Sequence, residues 1–168
     1  MDYYFEVITT YDKETVKHYT TYHYRHVDRR MPVGLILLGV FFLIRMLSLF
    51  VEGERVLPYL SLFVGTIAAA VGVMMLTGHA TIKVPDQVNG QPLQNRLRFF
   101  EDRIEYAGRQ SQGFYRYDQV TRVGEDTWYF FLYVSGNQAL IIPKNGFTAG
   151  DPESFRQFLL AKVPPRQG

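Results

Sequence analysis

Two apolar stretches separated by a short polar turn decide the fold of this chain. Residues 32–51 read PVGLILLGVFFLIRMLSLFV, and residues 58–77 read PYLSLFVGTIAAAVGVMMLT. At about 1.5 Å of rise per residue, either stretch is long enough to cross a hydrocarbon layer of roughly 30 Å as an α-helix. The alternative is a helical hairpin buried in a soluble protein. Two such apolar runs are more than the core of so small a soluble protein needs, which argues against that alternative. We therefore predict a transmembrane helical hairpin over residues 32–78.

Arg45 is the one charged residue within these two spans. An arginine near the bilayer centre costs about 3 kcal/mol on insertion, whereas each Leu, Ile, Val or Phe contributes about 0.3–0.6 kcal/mol in favour. Because Arg45 lies near the C-terminal end of the first span, its long side chain is expected to reach the headgroups, near Glu52 or Glu54. A functional role for this intramembrane charge is the competing interpretation.

The second span carries small residues at two four-residue spacings, Gly65 with Ala69 and Ala68 with Gly72. Small residues let two helices approach each other closely in a membrane. Packing against the first span is the favoured interpretation. A homo-oligomer formed through the same four residues is the alternative.

Basic residues are distributed unevenly around the spans. Five precede the first span, three follow the second, and the connecting turn holds one: Lys13, Lys17, Arg25, Arg29 and Arg30; Lys83, Arg96 and Arg98; and Arg55. The positive-inside rule therefore places both termini in the cytoplasm. Five residues are predicted to act as membrane-interface anchors, namely Lys17, Arg25, Arg29, Arg30 and Arg45.

Residues 1–31 are predicted to form a strand and an interfacial amphipathic helix. Residues 3–10 are rich in aromatic and β-branched side chains, and Asp12 is a candidate N-cap for a helix over residues 13–27. His23 and His26 do not predict a metal site, because no carboxylate or cysteine lies near them in a ligand-like spacing.

Residues 79–168 are predicted to form a cytoplasmic domain of antiparallel hairpins closed by one helix. Six strand-like runs separated by turn residues cover residues 93–100, 103–107, 113–117, 119–124, 127–134 and 138–142. Asp151 and Pro152 then mark the start of an amphipathic helix. This α+β element order is that of a pleckstrin-homology-like domain. Residues 3–10 are expected to complete its sheet, because an unpaired strand there would expose its backbone.

The run over residues 127–134 has an apolar or aromatic side chain at almost every position. Trp128, Phe130, Leu132 and Val134 fall on one face of the predicted strand, and the intervening aromatic residues fall on the other. Both faces are therefore expected to be covered, one of them by the domain core.

Composition excludes several function classes. The chain has 18 basic and 16 acidic residues, which gives a net charge of +2. So small an excess of positive charge does not indicate a nucleic-acid partner. The chain has no cysteine, which excludes a disulfide, a thiol nucleophile and a thiolate metal site. Phosphate-binding glycine loops, nucleophile elbows and paired-histidine metal motifs are not found in the sequence. We therefore expect neither catalysis nor a cofactor.

Three motifs carry a family resemblance. They are FFEDRIE at residues 99–105, YDQV at residues 117–120 and SGNQALIIPKNGF at residues 135–147. Together they resemble the YcxB-like family of bacterial membrane proteins, whose layout is a strand and a helix, two spans and a C-terminal pleckstrin-homology-like domain. The resemblance implies a multi-pass protein of the bacterial inner or plasma membrane, and it supplies no catalytic residues.

Two hypotheses for function follow. The first is a membrane-anchored, non-catalytic interaction or regulatory module that presents its cytoplasmic domain to a protein partner. The alternative is recognition of anionic lipid headgroups, for which Arg96, Arg98 and Lys144 are the candidate contacts. Lys144 also has a purely structural interpretation, because it follows Pro143 at the predicted end of a strand.

Overall fold

The computed structural model describes residues 3–53, 55–78, 87–88, 91–109, 111–135 and 138–163. The chain divides into two compact units. The helical unit is Val16–Lys83, and the sheet unit combines Met1–Thr15 with Val84–Gly168. The N-terminal strand belongs to the same unit as the C-terminal sheet.

Two long helices, α2 (Arg30–Val51) and α3 (Leu57–Thr77), form the hairpin predicted from the apolar stretches. Helix α1 (Lys13–Tyr22) precedes them and continues as a π-helical turn over His23–Val27, so the predicted helix over residues 13–27 is confirmed in extent. Pro58 in the first turn of α3 suits a position whose N–H has no partner within the helix.

Glycine and alanine form the seam between α2 and α3. A Cβ atom added at Gly39 would lie 2.8 Å from both the Ala69 Cβ and the Gly65 carbonyl oxygen. One added at Gly72 would lie 2.8 Å from the Pro32 carbonyl oxygen. Three of the four small residues singled out in the second span therefore pack within the chain, as the favoured interpretation expected.

Most of the apolar surface of the hairpin stays exposed. The most apolar windows of α2 and α3 have mean hydropathies of 2.5 and 2.1, and only 11% and 22% of their residues are buried. Leu37, Phe41 and Phe63 are each at least 59% exposed. A core helix of a soluble protein buries such side chains, whereas these two helices are long and apolar enough to cross a membrane.

The sheet unit has nine strands and one long helix among its described residues. They are β1 (Phe5–Tyr11), β2 (Gln87–Val88), β3 (Gln91–Phe99), β4 (Arg103–Gly108), β5 (Gln112–Arg116), β6 (Arg122–Glu125), β7 (Tyr129–Ser135), β8 (Gln138–Pro143), β9 (Phe147–Ala149) and α4 (Pro152–Lys162). The first sheet has the order β5-β4-β3-β1-β9, with β2 paired to β3, and the second has the order β6-β7-β8. All pairings are antiparallel, so the predicted α+β layout is confirmed.

Strand β1 lies inside the first sheet rather than at its edge. It pairs with β3 along its whole length, from Phe5 opposite Phe99 to Tyr11 opposite Leu93, and with β9 on its other side. The prediction that the N-terminal strand completes the C-terminal sheet is therefore confirmed. The six predicted C-terminal strands are all present. Strands β2 and β9 were not predicted, because they are too short to show an alternating pattern of apolar and polar residues.

Both sheets and α4 contribute to one aromatic core. The Phe155 ring of α4 is fully buried, and its centroid lies 4.7 Å from that of Phe99, 5.2 Å from that of Phe5 and 5.4 Å from that of Phe130. Asp151 caps the helix by accepting hydrogen bonds from the backbone N–H groups of the second and third helical residues, both at 3.0 Å. The cap fixes where α4 starts and hence where Phe155 enters the core.

Strand β7 is buried on both faces, as its sequence predicted. Phe130 and Leu132 belong to the core, while Phe131 and Tyr133 on the opposite face are also at most 1% exposed. The expectation for Trp128 was wrong, because this side chain is 62% exposed. The strand starts at Tyr129, so Trp128 lies in the preceding turn and not in the alternating pattern.

Candidate functional site

The outer face of the first sheet carries most of the candidate contacts. Phe5 and Val7 of β1, with Leu97 and Phe99 of β3, point into the core. Because side chains alternate between the faces of a strand, the residues between them point outward. These are Glu6 and Ile8 of β1, Arg96 and Arg98 of β3, Glu105 and Ala107 of β4, and Phe114 of β5, which the strand registers place side by side.

Glu6 organises the two predicted arginines. Arg98 Nε donates a hydrogen bond to Glu6 Oε1 at 2.8 Å, Arg96 Nε lies 3.8 Å from the same oxygen, and Thr148 Oγ1 donates to Glu6 Oε2 at 2.9 Å. The neighbouring Arg98 guanidinium holds the pKa of the Glu6 carboxyl below its usual range. The sequence analysis did not single out Glu6, although its carboxylate lies beside the Nε atoms of both arginines.

Arg96 and Arg98 line two adjoining grooves on this face. The first, of about 440 Å³, also includes Glu105 and Phe114, and the second, of about 670 Å³, includes Ile8 and Arg109. The Arg96 side chain is 51% exposed and the Arg98 side chain 39%. Guanidinium groups in such a groove bind carboxylates or phosphates, and an exposed phenylalanine adds an apolar contact.

Lys144 is placed elsewhere, in the turn after β8. Its Nζ donates to Glu125 Oε1 at 2.6 Å and to the Asp126 carbonyl oxygen at 2.7 Å, and it lies 4.9 Å from the Phe130 ring centroid. The side chain is only 21% exposed. The structure therefore brings Arg96 and Arg98 together but does not bring Lys144 into either groove.

Glu125 joins Lys144 to the C-terminal helix. Arg156 of α4 donates to Glu125 Oε1 through Nη2 at 2.5 Å and to Glu125 Oε2 through Nε at 2.9 Å. These hydrogen bonds lower the pKa of the Glu125 carboxyl, with Arg156 as the largest cause and Lys144 as the next favourable one. This Glu125 cluster ties β6, the turn after β8 and α4 together.

The predicted interface anchors all belong to the helical unit and are exposed. Arg25 Nε donates to the Leu76 carbonyl oxygen at 3.1 Å, which caps the C-terminal end of α3.

Arg45 Nη1 donates to Ser48 Oγ at 2.8 Å and lies 3.5 Å from Glu52 Oε1. Glu52 is thus the neighbour of Arg45, and Glu54 lies outside the described residues. Arg29 and Arg30 stand at the start of α2, and Lys17 lies on α1.

The described ranges contain no cluster of metal-ligating side chains. Within them, no group of three or more His, Cys, Asp or Glu side chains lies close enough to hold a metal ion. The His26 ring is stacked on Tyr22 at a centroid distance of 4.5 Å, and His23 is buried.

Comparisons with known proteins give one family match. Residues 99–159 match the family model described as YcxB-like protein. No curated protein and no solved structure gives a significant match to the chain. The matched region runs from the end of β3 through most of α4, and it contains all three motifs. Residues 99–159 are therefore similar to the YcxB-like family, and the resemblance carried by those motifs is confirmed.

Proposed function

We propose that this chain is a membrane-anchored, non-catalytic interaction module that presents its sheet unit to a protein partner at the cytoplasmic face of a bacterial membrane. Helices α2 and α3 cross the bilayer as a hairpin, with both termini in the cytoplasm. Two features support this arrangement. The apolar faces of the hairpin are not buried by the fold, and basic residues cluster outside its connecting turn.

The sheet unit is proposed to be a pleckstrin-homology-like domain. Two antiparallel sheets around one core, closed by a C-terminal helix, have the arrangement expected for that fold, and the YcxB-like match covers this part of the chain. Folds of this kind carry binding sites on their surfaces, so the function has to be argued from the site itself.

One observation carries the choice of a protein partner. The exposed Phe114 stands beside Arg96 and Arg98 in the smaller groove, and Glu105 lies among them. An aromatic side chain flanked by charges of both signs suits a protein surface, where aromatic and arginine side chains contribute most of the binding energy. Anionic lipid headgroups remain the alternative ligand for the arginines. That alternative loses support from Lys144, whose amine is bonded within the Glu125 cluster.

The proposed topology is tested by single cysteines, since the native chain has none. Glu54→Cys in the connecting turn should react with a membrane-impermeant thiol reagent in intact cells. Ser111→Cys, in the hairpin between β4 and β5, should react only after the cells are opened. Reaction of Ser111→Cys alone in intact cells would reverse the orientation.

The proposed partner class is tested by a photo-crosslinking amino acid at position 114 of the full chain in living cells. We expect a discrete protein adduct from this position. The matched control is position 160 on α4, where Leu160 is 66% exposed and lies away from both grooves. Adducts with phospholipid alone at position 114 would contradict the proposal and favour headgroup recognition.

A further inference from the structure

The two arginines of β3 on the outer face differ in how firmly they are held. Arg98 donates a hydrogen bond to Glu6 Oε1 at 2.8 Å, and its guanidinium lies 5.2 Å from the Tyr3 ring centroid. Arg96 makes no hydrogen bond within the described residues, and its Nε atom lies 3.8 Å from the same carboxylate oxygen. A guanidinium has five N–H donors, so those of Arg96 are available to a ligand.

The strand registers explain why Arg96 is the less engaged of the two. Directly opposite it lie Ile8 on β1 and Ala107 on β4, and neither side chain carries a charge. The other arginine has a carboxylate opposite it on each side, Glu6 on β1 and Glu105 on β4. Opposite charges interact best between directly opposed residues of neighbouring strands. The fold therefore compensates one arginine and leaves the other beside an uncharged strip of the sheet.

The larger of the two grooves includes this uncharged strip and is locally positive. Its volume of about 670 Å³ is in the range of small-molecule sites, roughly 300–1,000 Å³. Among the described residues that line it there is no carboxylate, whereas three are arginines: Arg96, Arg98 and Arg109. Glu6 balances one of these charges from outside the groove. The groove thus combines a short apolar lining with an excess of positive charge.

The charge of the larger groove indicates a dianion as its ligand. A phosphate monoester carries a charge of about −1.5 to −2 at pH 7 and presents three acceptor oxygens. A guanidinium binds such a group through two parallel hydrogen bonds, which Arg96 can supply because half of its side chain is exposed. A carboxylate has a single negative charge and two oxygens, so it would balance less of the positive charge.

The rest of the outer face argues against a flat membrane surface as the source of the phosphate. Near the two grooves this face holds three arginines and two carboxylates, and the carboxylates are Glu6 and Glu105. Anionic membranes attract clusters of several basic residues, and their headgroups would also meet these two carboxylates. A small soluble molecule can enter the larger groove without facing either of them, because neither lines that groove.

We infer that the larger groove is a binding site for a small soluble phosphate monoester, whose phosphate oxygens are held by Arg96 and Arg109 and whose organic part lies over Ile8 and Ala107. This site goes beyond the proposed function, since it does not require a protein partner at Phe114. It gives the sheet unit a second ligand, which binds beside the smaller groove.

The probe for this site is glycerol 3-phosphate, added to the full chain in nanodiscs of zwitterionic lipid and followed by isothermal titration calorimetry. We expect saturable binding with a dissociation constant of about 1 mM or lower. Glycerate, which has one carboxylate in place of the phosphate, should bind about tenfold more weakly. The inference fails if glycerol 3-phosphate shows no saturable binding, or if glycerate binds equally well.

Three variants locate the binding in the larger groove, and each is first shown to keep the unfolding midpoint of the parent chain. Arg96→Gln should weaken glycerol 3-phosphate binding about tenfold or more. Arg116→Gln is the matched control, because it removes the same charge from the same sheet at a position that lines neither groove, and it should change binding less than about twofold. Ala107→Leu fills the groove without changing its charge and should weaken binding about tenfold. Equal losses in both arginine variants would reduce the effect to general electrostatic attraction and overturn the site.

A change of lipid separates the soluble ligand from a lipid headgroup of the same chemistry. Phosphatidate presents a phosphate monoester at the membrane surface, and discs containing it are compared with phosphatidylglycerol discs of equal surface charge. The affinity for glycerol 3-phosphate should be the same in both. A loss of affinity in the phosphatidate discs alone, absent in Arg96→Gln, would assign the groove to a lipid headgroup and overturn the soluble ligand. Crosslinking at position 114 reports on the protein partner independently of these titrations.

Discussion

The helical unit and the sheet unit use the same apolar side chains in opposite ways. In the sheet unit, Phe99, Phe130 and Phe155 are at most 1% exposed and meet ring to ring. In the helical unit, Phe41 and Phe63 are 59% and 64% exposed. Phenylalanine content therefore does not distinguish a core from a surface. The difference lies in the surroundings that each unit requires, since one provides its own apolar interior and the other needs an apolar environment around it.

The two units also differ in how their elements meet. The sheet unit is held together by large rings that fill the space between two sheets and α4. The hairpin is held together where side chains are nearly absent, along Gly39, Gly65 and Gly72. Removing volume should therefore damage the first unit, and adding volume should damage the second.

The largest expected effect comes from removing Phe155 from the centre of the sheet unit. Phe155→Ala should lower the free energy of unfolding by about 3–5 kcal/mol, because a cavity remains among rings that cannot close over it. Guanidinium titration of the chain in detergent, followed by the fluorescence of its single tryptophan, measures this change. Leu160→Ala on the exposed side of the same helix is the control and should shift stability by about 0.5 kcal/mol or less.

An added side chain in the glycine seam should have the next largest effect. Gly39→Val forces β-branched bulk against Ala69 and the Gly65 carbonyl and should destabilise the hairpin by about 1–3 kcal/mol. Circular dichroism during titration of mixed micelles with a denaturing detergent measures this loss. Gly34→Val is the matched control on the same helix, because a Cβ there meets nothing within 4 Å. Equal losses in both variants would remove close packing as the cause.

The smallest expected effect concerns the Glu125 cluster. Because the pKa of Glu125 is lowered in the folded protein, its contribution to stability is present above the unfolded-state pKa, near 4.5, and is lost as pH falls through the lowered folded-state value. Glu125→Gln should lower the free energy of unfolding by about 1 kcal/mol at neutral pH. It should also make that free energy fall less steeply as the pH is lowered into the acidic range. Denaturant titrations at a series of pH values test this. Glu14→Gln, at an exposed position of α1, should leave the profile steep.

The sequence predicted what depends on local pattern and missed what depends on long-range register. The lengths of α2 and α3 and the positions of six strands follow from apolar runs and alternation. The Glu6–Arg98 pair joins residues 92 positions apart, and the Lys144–Glu125 pair depends on how β6 and β8 flank β7. A single sequence does not contain those registers. Arg96, Arg98 and Lys144 consequently looked equivalent as basic residues, although only the arginines share a groove.

The position of β1 inside the first sheet bears on how the protein is made. On the proposed topology, residues of β1 are translated before both apolar helices, whereas their partners in β3 and β9 emerge only after those helices. At synthesis rates of about 5–20 residues per second, β1 waits for several seconds with both of its edges unpaired. Insertion of the hairpin then becomes the step that returns the nascent chain to the same side and permits the sheet to close. Faulty insertion would therefore leave β1 without its partner strands as well as leaving the membrane anchor misplaced.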